Sequence, residues 1–174
     1  MLPGININLG CGPDPNPDWI GVDAQDFGHN VVASITEILP FPDNHADQVM
    51  AIHCIEHIPK DHAPNMCREV LRILKPGGKF LVECPSLEKT LKNFEKYDIR
   101  DQAAWPLTFW SLYGPPTVID DPYQTHQWCY TGAQIESMMY NAGFGHVEEL
   151  EPNFHEPLRD MAWLGVKSPQ WGED

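Results

Sequence analysis

The strongest constraint on the fold lies at the start of the chain. A short apolar run, Ile5-Asn6-Ile7-Asn8-Leu9, leads directly into Gly10-Cys11-Gly12, and a second, Ile20-Gly21-Val22, ends on Asp23. Short β-branched runs bounded by Gly, Pro and Asp read as strands. A glycine pair after a first strand lets the backbone approach a ligand at the strand's carboxyl end, where open parallel sheets bind nucleotides. An acidic residue closing the next strand adds a carboxylate able to accept hydrogen bonds from both hydroxyls of a ribose. The pattern predicts an α/β chain with a nucleoside site at one edge of its sheet.

Two departures from the dinucleotide fingerprint narrow the ligand. The third glycine is missing, and Asp23 follows Gly10 by 13 residues instead of about 20. Prolines at 13, 15 and 17 allow no long helix between them, so the first crossover helix is predicted to be short or missing. A dinucleotide or ATP needs that helix's N-terminus to hold its phosphates. S-adenosylmethionine has none. It presents adenine, a ribose diol, a sulfonium cation and an amino-acid tail, which a glycine loop and one carboxylate can hold, and an acidic surround suits the cation.

Further along, Val31–Ser34 and Gln48–Ile52, apolar from Val49 onward, read as third and fourth strands. Met66, Val70, Ile73 and Leu74 recur at helical spacing from about Asp61, and Lys75-Pro76-Gly77-Gly78 stops the helix. Phe80–Cys84 follows as a strand, Ser86 caps a polar helix to about Tyr97, and Thr131-Gly-Ala-Gln134 forms a capping box for a helix that Gly143 terminates. Phe144–Leu150 and Met161–Lys167 close the chain as strands. This alternation predicts a single domain over residues 1–174, a Rossmann-like α/β/α sandwich with a mainly parallel sheet and helices on both sides. Residues 99–127, with Trp105, Phe109, Trp110, Tyr113 and Tyr123 among prolines, read as an irregular insertion. It is either a substrate-binding lid or a satellite hydrophobic cluster.

Composition excludes several classes. No run approaches the roughly 18 apolar residues of a membrane span. The start lacks the pattern of a secretion signal, so a cytoplasmic location is expected. Five cysteines without a CxxC pair argue against a disulfide framework or a structural zinc site. A net charge of -14 disfavours a nucleic-acid partner, and the one basic group, Lys89, Lys92, Lys96 and Arg100, alternates with acids as on a solvated helix face.

Taken in order, Asn8-Leu-Gly-Cys-Gly12, Leu39-Pro-Phe-Pro-Asp-Asn44, Cys54-Ile-Glu-His-Ile58 and Leu71-Arg-Ile-Leu-Lys-Pro-Gly-Gly78 resemble the motifs of class I S-adenosylmethionine-dependent methyltransferases. Within that family the chain is similar to a small methyltransferase-like group often linked with glycan and surface-polysaccharide genes. The resemblance implies a seven-stranded sheet with an antiparallel last strand. It also implies that Gly10, Cys11 and Gly12 line the methionine part of the cofactor and that Asp23 binds the ribose. Ser34, Ile35 and Thr36 would lie by the adenine, where the family often carries an acidic residue, and His53 would face the sulfonium and the substrate. The implied acceptor is a small molecule or a sugar, and a catalytically silent cofactor-binding or interaction domain is the alternative.

His53-Cys-Ile-Glu56-His57 also matches the H-x-x-E-H signature of a class of zinc peptidases. That motif works only on a helix, where both histidines share a face, whereas here a strand leads into His53. One carboxylate and two imidazoles can ligate zinc or another transition metal, and the resemblance includes members that carry E-x-x-E-H metal ligands at this position, where His53 here replaces the first Glu; in most members with a Glu-His pair here the pair serves structure, and no metal is assigned. Asp120-Asp-Pro-Tyr123 resembles a motif of amino-group DNA methyltransferases in the wrong place, and reads as a proline turn. Methyl transfer is an in-line displacement that depends chiefly on alignment. His53 and, bordering the insertion, His126 are the candidate general bases.

Overall fold

A computed structural model describes residues 4–14, 16–118, 121 and 123–169. Pro15, and Asp120 and Pro122 of the expected proline turn, lie outside the described residues. Seven strands, β1 Asn6–Leu9, β2 Ile20–Asp23, β3 Val31–Val32, β4 Ala46–Ile52, β5 Leu74–Pro85, β6 His146–Leu150 and β7 Asp160–Val166, form one sheet in the order β3-β2-β1-β4-β5-β7-β6. The first five run parallel, and β7 is antiparallel to both β5 and β6. This is the Rossmann-like α/β sheet the sequence predicts.

Among the described residues no helix links β1 to β2 or β2 to β3. Parallel strands usually need a longer crossover, but a four-residue strand spans only about 13 Å, which a short extended link can retrace. The link after β1 folds back on β2, with the Gly10 and Cys11 N–H groups both donating to the Val22 carbonyl, at 2.8 and 3.2 Å.

The helices are unevenly placed. α1 (Ala63–Ile73) packs on a later helix, Gly132–Ala142, and their apolar stripes, Met66, Val70 and Ile73 with Ile135 and Met139, are fully buried. Register places Ile7, Val49 and Phe80 on one side of the sheet with Leu9, Ala51, Val82 and Trp163, and all of them belong to this core. On the other side Asn6, Asn8 and Gln48 are polar, and Met50, paired with Asn8, is buried.

Two boundaries shift for local reasons. β5 starts at Leu74, six residues before Phe80, because Gly77, at φ +79°, lets the Lys75–Gly78 segment bulge within the strand while Ala46 pairs with Leu74 and Gln48 with Lys79. β3 ends at Val32 because Ser34 and Thr36 close a turn, their hydroxyls 2.7 Å apart.

α2 (Leu87–Lys96) is capped by Ser86, whose hydroxyl accepts the Lys89 N–H at 3.3 Å. Between Gln102 and Leu107 the 99–127 segment forms a 3-10 turn, followed by α3 (Phe109–Tyr113). Its aromatic half packs as a cluster: Phe109 meets Phe94 of α2 and Trp105 edge-on, at 5.1 and 5.9 Å between ring centres. α4 (Gly132–Ala142) carries the predicted capping box in full, with Gly143 in the left-handed conformation at its end. Thr131→Ala should therefore cost about 1 kcal/mol, read as a lower urea midpoint at unchanged slope. No described helix is long and apolar enough to cross a membrane.

Candidate cofactor and active site

The loop after β1 owes its shape to two glycines and one carboxylate. Gly10 and Gly12 have φ of +66° and +63°, a region that side chains with a Cβ rarely adopt. A Cβ on Gly10 would also lie 2.5 Å from the Cys54 sulfur. Asp23 sits opposite and accepts the Gly12 N–H on Oδ2 and the Gln25 N–H on Oδ1, each at 3.0 Å.

These residues border a cavity of about 270 Å³ at the carboxyl ends of β1, β2 and β4. Gly10, Gly12, Asp23, Ser34, Ile35, Thr36 and His53 all line it; Cys11 and His126 do not. The Cys11 side chain points to the far side of the loop, against Gly21. The wall also includes Phe27, Cys54, His57, Tyr123, Gln124 and Gln127, none of which the sequence reading placed there.

His53 follows β4 directly, in an unusual conformation at φ +47°. Its Nδ1 lies 2.9 Å from Glu56 Oε1 and its Nε2 3.1 Å from Asp160 Oδ2. Asp160 is fully buried and also takes the Arg159 guanidinium, at 2.6 Å on Oδ1 and 2.9 Å on Oδ2, and the Glu156 N–H at 2.9 Å. Burial alone would lower the His53 pKa, but hydrogen bonds and charge from Asp160 and Glu56 outweigh it and raise the imidazole to about 9. Burial likewise opposes ionisation of Asp160, yet His53 and Arg159 hold that carboxyl well below the usual range. At neutral pH His53 is thus an imidazolium with a carboxylate at each nitrogen, and it has no lone pair free to take a proton.

Glu56 is almost completely buried in a 3-10 turn, Ile55–His57. His53 precedes that turn, so it and His57 share no helical face, the arrangement on which the peptidase reading depends. His57 Nδ1 faces the Thr125 carbonyl at 3.4 Å, and His126 Nδ1 faces the Ser111 carbonyl at 3.0 Å. The two rings meet edge-on, 4.8 Å between centres, and burial lowers the pKa of His126. Nearby, Glu83 is buried and accepts the N–H groups of Asn153, Phe154 and His155, which fixes the β6–β7 loop over the sheet edge.

A glycine loop at positive φ after the first strand, bonded to a carboxylate that ends the second and lining one cavity with it, is the layout of the Rossmann-like class. Residues 8–82 match the family described as a methyltransferase domain. Over 123 residues the chain is 30% identical to the ubiquinone/menaquinone biosynthesis C-methyltransferase of Pseudomonas fluorescens, a match covering 67% of this chain and 44% of that protein. The chain thus spans less than half the length of that relative.

Among solved structures, an S-adenosylmethionine-dependent methyltransferase from Archaeoglobus fulgidus superposes with a TM-score of 0.64 at 15% identity, covering 94% of this chain and 86% of the other. A Burkholderia thailandensis 1,6-didemethyltoxoflavin-N1-methyltransferase, solved with S-adenosylhomocysteine, gives 0.59 at 13% identity, covering 95% and 72%. The chain belongs to the class I S-adenosylmethionine-dependent methyltransferase family.

Proposed function

We propose that the chain binds S-adenosylmethionine along the carboxyl edge of its sheet and transfers the methyl group to a small-molecule acceptor, sugars and glycans included. The observation that carries this reading is the pairing of Asp23 with the Gly10–Gly12 loop on the wall of one cavity. Gly10 lets the backbone run against Cys54 where a Cβ would collide, Asp23 offers acceptors to a ribose, and among the described residues no helix follows β1 to hold phosphates at its N-terminus. Ser34, Ile35 and Thr36 take the adenine end, and Tyr123, Gln124 and Gln127 close the acceptor end.

Such a site acts chiefly by alignment, holding the acceptor atom in line with the sulfonium methyl. With both nitrogens engaged, His53 serves as a fixed positive charge that orders Glu56 and Asp160 rather than as a base. His126 stands behind His57, one step from the cavity.

S-adenosylhomocysteine at 100 times its dissociation constant should stabilise the protein by about 2.7 kcal/mol, seen as a rise in melting temperature. No rise at millimolar ligand would remove the cofactor from this reading.

A further inference from the structure

Resting on the cofactor reading above, we infer that His57 is the general base of this site and that the acceptor is a neutral hydroxyl compound, methylated on oxygen.

The cavity wall holds few groups able to take a proton. Asp23 is bonded to the glycine loop and to the Gln25 N–H, at the ribose end. His53 has a carboxylate at each ring nitrogen. Burial pushes the Cys54 thiol well above its ordinary range, so it supplies no thiolate. Tyr123 stands at the rim, 52% exposed, and its phenol must lose its own proton before it can take another. His57 lines the same wall, at the acceptor end with Tyr123, Gln124 and Gln127. Its Nδ1 lies 3.4 Å from the Thr125 carbonyl, which places the ring proton on Nδ1 and the lone pair on Nε2.

The ring is held in place by its neighbours. Gln127 Nε2 donates to the His57 carbonyl at 2.8 Å, and the N–H groups of Gln127 and Trp128 donate to the Glu56 carbonyl at 2.7 and 3.3 Å. His126 meets the His57 ring edge-on, and burial holds its pKa low, so it adds no positive charge beside a protonated His57. The buried Glu56 carboxylate, which already balances His53, also favours the imidazolium that forms when His57 takes a proton.

The same wall selects the acceptor. Among the described residues that line it there is no Lys or Arg, and its one cation, His53, is matched by Glu56 and Asp160. A carboxylate, a phosphate or a preformed phenolate finds no free positive charge there. The acceptor therefore enters neutral. Gln124 and Gln127 carry amides that both donate and accept, as a hydroxyl does. A neutral hydroxyl is a poor nucleophile until its proton is drawn off, which a lone pair on Nε2 can do as the methyl group moves. In that step the acceptor oxygen bonds to the sulfonium methyl carbon, and the carbon–sulfur bond breaks with its electron pair going to sulfur. The hydroxyl proton passes to His57 and then to water, leaving a methyl ether and S-adenosylhomocysteine.

The test gives the full chain S-adenosylmethionine labelled in its methyl group, with methyl α-D-glucopyranoside, catechol and glycerol as neutral hydroxyl probes, and identifies the labelled products. The wild type should form a methyl ether of at least one probe. His57→Gln and His57→Ala should each lower kcat about 100-fold or more while S-adenosylhomocysteine affinity stays unchanged. Added imidazole should restore part of the activity of His57→Ala. No ether from any probe with a wild type that binds S-adenosylhomocysteine, transfer only to a ring carbon of catechol, or folded His57 variants that keep the wild-type kcat overturns the inference. A loss in His57→Ala that imidazole does not relieve makes His57 a positioning residue and overturns its role as base. The rise in melting temperature with S-adenosylhomocysteine is measured first: its absence defeats the cofactor reading, whereas its presence with any of the contrary results above defeats this inference alone.

Discussion

Asp160→Asn should destabilise the protein by about 3–5 kcal/mol, the range for removing one partner of a buried charged pair. The amide keeps the volume and one acceptor oxygen but loses the charge that offsets two cations. Arg159 Nη2 and His53 Nε2 lie 3.3 Å apart, and with Asp160 neutral Glu56 and the more distant charge of Glu156 are left to balance them. The Glu156 N–H also risks losing its acceptor. Urea unfolding at pH 7 measures the effect, and a loss under about 1 kcal/mol would mean that the network contributes little to folding.

The same carboxyl gives the effect a pH signature. Its pKa is held below the unfolded value, so its contribution is present above about pH 4 and is lost as pH falls toward the folded pKa. Replacing it with an amide should therefore flatten part of the acid limb of the stability curve. An acid limb unchanged in the variant would assign acid unfolding to other groups.

How much of this was legible in the sequence depends on how far apart the interacting residues lie. The Gly10–Gly12 loop and Asp23 were readable because the strand, the glycines and the carboxylate fall within one local stretch. Cys11 was carried into the cavity with its neighbours, but with positive φ on either side the backbone turns the middle side chain away. His53 was readable as a residue at the site and unreadable as an imidazolium, because the carboxylate that holds Nε2 comes from β7, 107 positions later.

His57 and His126 illustrate the same limit. Nothing local joins them, and they meet because Gln127 and Trp128 bond the Glu56 carbonyl. The 99–127 segment divides in two: Trp105 and Phe109 pack in a cluster on α2, while Tyr123, Gln124 and Gln127 reach the cavity wall.

Asp23→Ala should weaken S-adenosylhomocysteine binding about 100-fold. A carboxylate has about four lone-pair sites, and the Gly12 and Gln25 N–H groups occupy one on each oxygen, so two remain for the ribose hydroxyls. Hydrogen bonds to a charged group contribute about 1.5–3 kcal/mol each, and losing the pair costs at least about 3 kcal/mol, or two decades of affinity. Asp23→Asn keeps one acceptor oxygen and should fall between the wild type and the alanine variant. Part of any loss would come from loosening the loop, because Gly12 also loses its acceptor; the melting temperature of the ligand-free variant measures that part. Calorimetric titration of the three proteins then isolates the ribose contact. Should Asp23→Ala bind as tightly as the wild type, Asp23 would be a strut of the loop, and the ribose would have to be held by another group on the cavity wall.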